Sequence, residues 1–441
     1  MALKRVTLSK ITVRGFKSID KEQGIEIRPL TILAGANSSG KSSIMQPLLL
    51  LKQTLESTED PGALRLDGGN VKFTKFEQLL SKNRDEFEIK LELKNCNFLS
   101  IVFKRDETKE CDISMMKFNH NKDIISLKQG INDIISKVIR LLRLKELHKP
   151  LIDLLNIKES DVKYKVTRNR CFLKLEAYRS DSEKQESSPI SFFNYDPGNQ
   201  FIPHIMNIIH LPGLRGNPQR TYSKNATGKY FPGTFEDYAA SLIFQWQKEK
   251  DQKIDQLKSA LEELGLTWKV KAEPVDDTQI AIFVGRLNHP KRAGAHDLVN
   301  ISDVGFGVSQ VLPVLVALIA ANPGKIVYIE QPEIHLHPKA QRKLAHIIIN
   351  TAKRGVIVIL ETHSSLLLKE FQTLVAKDEI TKDSVILHWF QRNKDGITEI
   401  TSTELDEYGA FDSSWPSDFD DVELETEKEY LDTIEQKRWK K

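Results

Sequence analysis

Apolar residues follow two rhythms along this chain. From Val6 to Leu33, alternating and continuous apolar runs broken by Gly15 and Gly24 predict a small sheet ending in a buried strand at 30–34. Residues 44–55 then carry the apolar face of a helix, and strand-like runs return at 87–93 and 99–103. The middle changes character. Between Ile124 and Leu155, Ile, Leu and Val recur at helical spacing among lysines, and Asp181 to Ser188 is polar and reads as a loop. A further helical stretch runs from Phe235 to about Leu264, with a charged face at 248–253 followed by Leu257, Leu261 and Leu264. Beyond about Ala281, α/β order resumes: a helix over 304–321, a strand over 326–329, a helix over 338–352 and a strand over 356–360. The pattern predicts an α/β protein with mixed sheets. Its expected parts are a first lobe at 1–105, an inserted mainly helical or mixed region at 106–285, a second lobe at 286–390 and an acidic cap or tail at 391–441. The helices are too short for a long coiled coil, and no internal repeat is seen.

Composition narrows this picture little. The 441 residues suffice for two or three core-forming units. A net charge of +3, from 64 basic and 61 acidic residues, gives no global nucleic-acid signal, so a DNA-binding surface would be a local patch. Cys96, Cys111 and Cys171 are odd in number and lack metal-type spacing, which fits reduced thiols and a cytoplasmic location. No apolar run approaches the ~18–20 residues of a membrane span, and the N-terminus opens a strand pattern, not a signal peptide.

Chemistry enters at Gly35-Ala36-Asn37-Ser38-Ser39-Gly40-Lys41-Ser42, a G-x-x-x-x-G-K-S run between the predicted strand and helix. Glycines there let backbone N–H groups approach phosphates, a lysine reaches the β- and γ-phosphates, and a serine hydroxyl ligates Mg²⁺. The run predicts binding of a nucleoside triphosphate with Mg²⁺. The second-lobe strand ends in Glu330-Gln331-Pro332-Glu333, which places a carboxylate beside the metal. The next strand ends in Glu361-Thr362-His363-Ser364-Ser365, where a histidine can touch the γ-phosphate. Ser302 to Gln310 offers small residues and free N–H groups at a helix start, a second anion site that one nucleotide does not need within one subunit.

This combination resembles the ATP-binding-cassette class of P-loop proteins, in its structural-maintenance-of-chromosomes, RecF and overcoming-lysogenization-defect-like branch. Val13-Arg14-Gly15-Phe16-Lys17-Ser18-Ile19 resembles that branch's opening strand, and Glu330-Gln331-Pro332-Glu333-Ile334-His335-Leu336-His337-Pro338 resembles the block of its small bacterial members. Residues 211–220 and 406–420 are similar to antiphage-defence AAA-family ATPases with a C-terminal domain of unknown function. The resemblance implies a two-lobed ATPase head in which Gly35 through Ser43 cradle phosphates, Ser42 and Glu330 hold Mg²⁺, and His363 is the switch residue. It also implies that Ser302, Gly305 and Gly307 complete the site of the opposite subunit, so that a homodimer, or a larger assembly built on it, sandwiches ATP. The branch places a catalytic Glu where Gln331 stands; Gln331 orients water but cannot take its proton. Slow hydrolysis is therefore expected, with Glu330 filling both roles or Glu333, the preferred base, swinging in. Whether Ser302 or Ser309 meets the γ-phosphate stays open. The function implied is an ATP-driven switch acting with a separate effector protein in antiphage defence. The alternatives are a RecF-like DNA-repair or DNA-maintenance ATPase, with direct DNA contact, and a P-loop kinase or ATP-dependent nuclease.

Other features carry plainer readings. His335 and His337 form an H-x-H pair that lacks a further ligand, which favours a place at the dimer seam over a metal site. Arg215, Arg220, Lys224 and Lys229 suit phosphate or nucleic acid, or simply a solvated loop. Basic residues over 122–149 read as an ordinary amphipathic face, and Asp418-Phe419-Asp420-Asp421 as part of a cap or docking surface in preference to a nuclease cluster.

Overall fold

The computed structural model describes residues 6–105, 110–120, 123–129, 138–139, 141–142, 144–155, 157–158, 161–179, 191–287 and 297–411. The chain opens with β1 (Leu8–Arg14), β2 (Gln23–Glu26), β3 (Leu30–Gly35) and α1 (Lys41–Leu55), then β4 (Glu86–Leu93), β5 (Phe98–Arg105), β6 (Cys111–His120) and β7 (Asp123–Leu127). Six of these strands form an antiparallel sheet in the order β2-β1-β4-β5-β6-β7. Its strands show one-sided burial: along β4, Phe87, Ile89, Leu91 and Leu93 point into the core while Glu86, Glu88, Lys90 and Glu92 stay part-exposed.

Helix α2 (Leu144–Leu154) precedes β8 (Val162–Asn169), β9 (Phe172–Arg179) and β10 (Ser191–Tyr195), a three-stranded sheet. The helical spacing from Ile124 is overruled at its start. Ile124 and Ile125 lie in β7, where Ile125 pairs with Phe118; β-branched residues pack well on a pleated surface that a neighbouring strand supplies. The expected loop at 181–188 lies outside the described residues.

Next come α3 (Ile202–Met206), β11 (Ile208–Leu211), β12 (Tyr222–Ser223), α4 (Glu236–Glu249) and α5 (Lys253–Glu263). The helical stretch from Phe235 to Leu264 is two helices, because Lys250 turns left-handed (φ 53°) and the Asp251 N–H returns to Trp246 O at 2.9 Å. Strands β13 (Val270–Pro274), β14 (Gln279–Gly285) and β15 (Leu298–Asn300) form a small sheet with β12.

The chain then alternates through α6 (Phe306–Ala320), β16 (Ile326–Glu330), α7 (Pro338–Lys353), β17 (Ile357–Thr362), α8 (Ser365–Ala376), β18 (Val385–Arg392) and β19 (Thr398–Thr403). Strand β19 occupies part of the expected tail, while Asp418–Asp421 lie outside the described residues. The central sheet has the order β11-β16-β17-β3-β18-β19, parallel except for β19. Its strands bury both faces. Ile32, Val327, Ile329, Val358 and Leu360 enter one hydrophobic cluster, and Leu33, Ile326, Tyr328, Ile357 and Ile359 enter the other. A period-2 strand whose every position is apolar must be covered twice, here by α1 and the antiparallel sheet on one side and by α6, α7 and α8 on the other. The result is an α/β fold with several sheets, eight helices among the described residues and no long coiled coil among them.

Candidate nucleotide site

The site forms where parallel strands end, as open α/β sheets arrange. Register fixes which ends coincide: Glu330 lies beside Glu361, Glu361 beside Leu33, and Thr362 beside Ala34. The turn from β3 into α1 needs unusual backbone. Gly35 has φ 143° and Gly40 φ 103°, and a Cβ at Gly35 would lie 2.1 Å from Phe390 O. Ala36, Asn37 and Ser38 are exposed at the tip, Ser39 is buried beneath them, and Ser43 closes the first turn by donating its N–H to Gly40 O at 3.0 Å.

Lys41 is buried and folded back over the loop, donating to Gly35 O at 3.0 Å and Ala36 O at 2.8 Å. Burial lowers its pKa against the opposing pull of Glu361 and Glu333. The cationic head thus rests on carbonyls that a phosphate oxygen would replace as partners. Ser42 donates its hydroxyl to Glu361 Oε2 at 2.9 Å.

Glu361 is the residue the sequence reading passed over. It is buried in the middle of the sheet, accepts from the Tyr328 hydroxyl as well as from Ser42, and is pushed up to about 8 by burial and by the neighbouring Glu330. Glu330, the acid expected beside the metal, faces His210 Nε2 at 3.2 Å and accepts from the Gly213 N–H at 3.2 Å. Burial raises its carboxyl, but the His210 and Gly213 hydrogen bonds outweigh that and leave it below the ordinary range. His210 stacks on Tyr328 with ring centres 5.2 Å apart and faces Asn70 at 3.3 Å, so one polar chain runs beneath both carboxylates.

Glu333 sits differently. Its Oε1 accepts from Thr362 Oγ1 at 2.7 Å and from the His363 N–H at 2.9 Å, while Oε2 is buried with no partner among the described residues. Burial raises its pKa. His363 is half-buried and hydrogen-bonds the Gly35 backbone; burial and Lys41 lower its pKa. Asn37, Gln331, Glu333 and His363 together wall a cavity of about 510 Å³ beside the loop. Gln331 holds a left-handed φ of 45° and donates its N–H to Glu361 O at 2.8 Å.

Ser302, Gly305 and Gly307 do not line that cavity. Gly305 is exposed at the start of α6, Ser302 is held by Asn300 Oδ1 at 3.0 Å, and Gly307 lies against His335 O. Phe306 is 49% exposed and tilts over the His335 ring at 5.5 Å. Ser309 turns inward and donates to Phe306 O at 3.1 Å, which leaves Ser302 as the hydroxyl on the outer face of the turn.

The loop after β11 straps these parts together. Arg215 is 3% exposed and donates to Glu330 O at 3.3 Å and Gln331 O at 3.0 Å; burial lowers it to about 10. Gln310 holds Arg215 O at 2.6 Å, and Arg220 pairs with Asp303 at 2.8 Å. Both arginines are committed within the chain. Replacing Arg215 by Met is expected to cost about 2–4 kcal/mol of folding stability in urea denaturation, since two carbonyls lose a charged donor. A change within about 0.5 kcal/mol would show that these hydrogen bonds do not hold the strap in place. Lys224 and Lys229 lie over the rings of Phe244 and Tyr230. His337 caps α7 by accepting from the Lys339 N–H at 3.3 Å, and among the described residues no three His, Cys, Asp or Glu side chains gather as a metal site. Cys96, Cys111 and Cys171 are not joined in disulfides. Among the described residues no helix is long and apolar enough to cross a membrane.

A glycine-flanked loop at the end of a central parallel strand, a lysine folded over it and acids on the two neighbouring strands define a P-loop nucleotide-binding protein. The chain belongs to the family described as AAA ATPase domain, whose model matches residues 7–368. No curated protein matches it. Solved structures similar to it include an SMC head bound to the C-winged helix domain of ScpA (12% identity, TM-score 0.45, covering 91% of this chain and 98% of that one). Others are the SMC head domain from Thermotoga maritima (11%, TM-score 0.39, 90% and 98%) and an SMC head with an extended coiled coil, bound to the C-terminal domain of ScpA derived from Pyrococcus furiosus (11%, TM-score 0.42, 98% and 100%).

Proposed function

We propose that the chain is an ATP-hydrolysing molecular switch whose state is set by pairing of two copies. The observation that carries this reading is the separation of two anion-binding elements. The loop of Lys41 is complete within one chain, whereas the turn of Ser302, Gly305 and Gly307, exposed at Gly305 and Phe306, lies outside the cavity beside it. A facing copy would bring that turn to the terminal phosphate, a contact present only in the closed pair, and only such a contact lets nucleotide drive closure. Gly35 to Ser43 bind the phosphates in this reading, and Lys41 moves its ammonium from loop carbonyls to phosphate oxygens.

The residues fit a Mg²⁺ ion: the Ser42 hydroxyl has a carboxylate, Glu361, within hydrogen-bond reach, with Glu330 on the adjoining strand. Bound there, the ion would neutralise phosphate charge. Glu333, fixed through one oxygen with the other free, is the group that takes the proton from the attacking water, and Gln331 and His363 orient that water and the terminal phosphate. Closure acts on a separate effector protein, and the setting is antiphage defence, on the strength of the resemblance at 211–220 and 406–420.

The test is molar mass by light scattering. The Glu333→Gln chain, slowed in hydrolysis, is expected to double its mass on adding ATP and Mg²⁺. Adding Phe306→Asp, which puts a charge beside the turn, should keep it monomeric with nucleotide affinity within about twofold. An unchanged mass with saturating ATP would overturn the pairing.

A further inference from the structure

The β18–β19 hairpin forms a back wall to the phosphate loop at both of its glycines. At one end Phe390 O fills the space where Gly35 lacks a side chain; at the other, Thr398 does the same for Gly40, whose Cβ would fall 2.3 Å from Thr398 Oγ1 and 2.9 Å from Ser18 Oγ. Thr398 is completely buried, although it lies in an edge strand; its Oγ1 donates to Ser39 O, 359 residues back along the chain, at 2.8 Å. The hydroxyl has one hydrogen to give, so at Ser18 Oγ, also 2.8 Å away, it accepts. The Thr398 N–H meanwhile donates to Ser18 O at 2.7 Å.

These contacts orient one peptide group. In a trans, planar peptide the carbonyl and the following N–H point in opposite directions. With the Ser39 carbonyl held against Thr398, the Gly40 N–H is turned away from the hairpin, toward the side on which the loop would meet phosphate. We propose that Thr398 is a positioning residue for nucleotide binding: its hydroxyl, seated by Ser18, aims the Gly40 N–H at the phosphates. The proposal rests on the reading of residues 35–43 as the phosphate cradle. It also gives the Gly-Phe-Lys-Ser run near the N-terminus a task, since Ser18 supplies both contacts that seat Thr398.

The test is titration of a fluorescent ATP analogue into the native chain, Thr398→Val, Thr398→Ser and Ser18→Ala, with melting of each nucleotide-free protein alongside. Val keeps the shape and removes the hydroxyl; it should weaken binding about tenfold, while Ser restores affinity to within about twofold of native. Ser18→Ala should fall between them, and it keeps the question answerable if the Val variant does not fold. Native-like affinity in the Val variant, or losses in Val and Ser alike that follow only their melting temperatures, would overturn the proposal. Failure of the native chain itself to bind would instead strike the nucleotide reading.

Discussion

Lys41→Ala is expected to weaken ATP binding at least about 100-fold, equivalent to about 2.7 kcal/mol. Two losses combine. The ammonium resting on the loop carbonyls, at 3.0 Å from Gly35 O and 2.8 Å from Ala36 O, disappears. The positive charge that stands beside the Glu361 and Glu333 carboxyls goes with it, and so does its attraction for an incoming triphosphate. Calorimetric titration measures this directly, and affinity within about threefold of native would remove the loop from the binding site.

Glu333→Gln is expected to slow turnover about 10²–10³-fold while ATP affinity stays near native. The substitution keeps the hydrogen bonds that Oε1 accepts from Thr362 and His363 but removes the proton acceptor. A pH profile separates a base from a structural acid. Burial raises the Glu333 pKa, so the working, ionised form is lost as pH falls at a higher pH than for an exposed glutamate. Native turnover should therefore fall on acidification through that raised value, and the remaining activity of Glu333→Gln should lose this acid limb. An acid limb unchanged in the variant would assign it to another group.

The phosphate loop was legible in the sequence because its chemistry is local: Gly35, Gly40, Lys41 and Ser42 owe their roles to eight consecutive residues between a strand and a helix. The alternating strands were legible for the same reason, as in β4. What stayed hidden depends on strand order. Glu330 and Glu361 each end an apolar strand, and only the order β16-β17-β3 puts Glu361 next to the loop and within reach of Ser42. Thr398, Arg215 and His210 likewise act across separations of more than a hundred residues, where a buried threonine, arginine or histidine carries no local mark. The helix expected from Ile124 shows the converse, a periodicity satisfied equally by a strand once β6 offers an edge.

The measurement that bears most directly on the hydrolytic switch is ATP turnover at saturating nucleotide for the native chain, Gln331→Glu and Glu333→Gln. With Glu333 as the base, Glu333→Gln retains about 1% of native turnover or less and Gln331→Glu is at least as active as native. A native rate in Glu333→Gln together with a dead Gln331→Glu would contradict it.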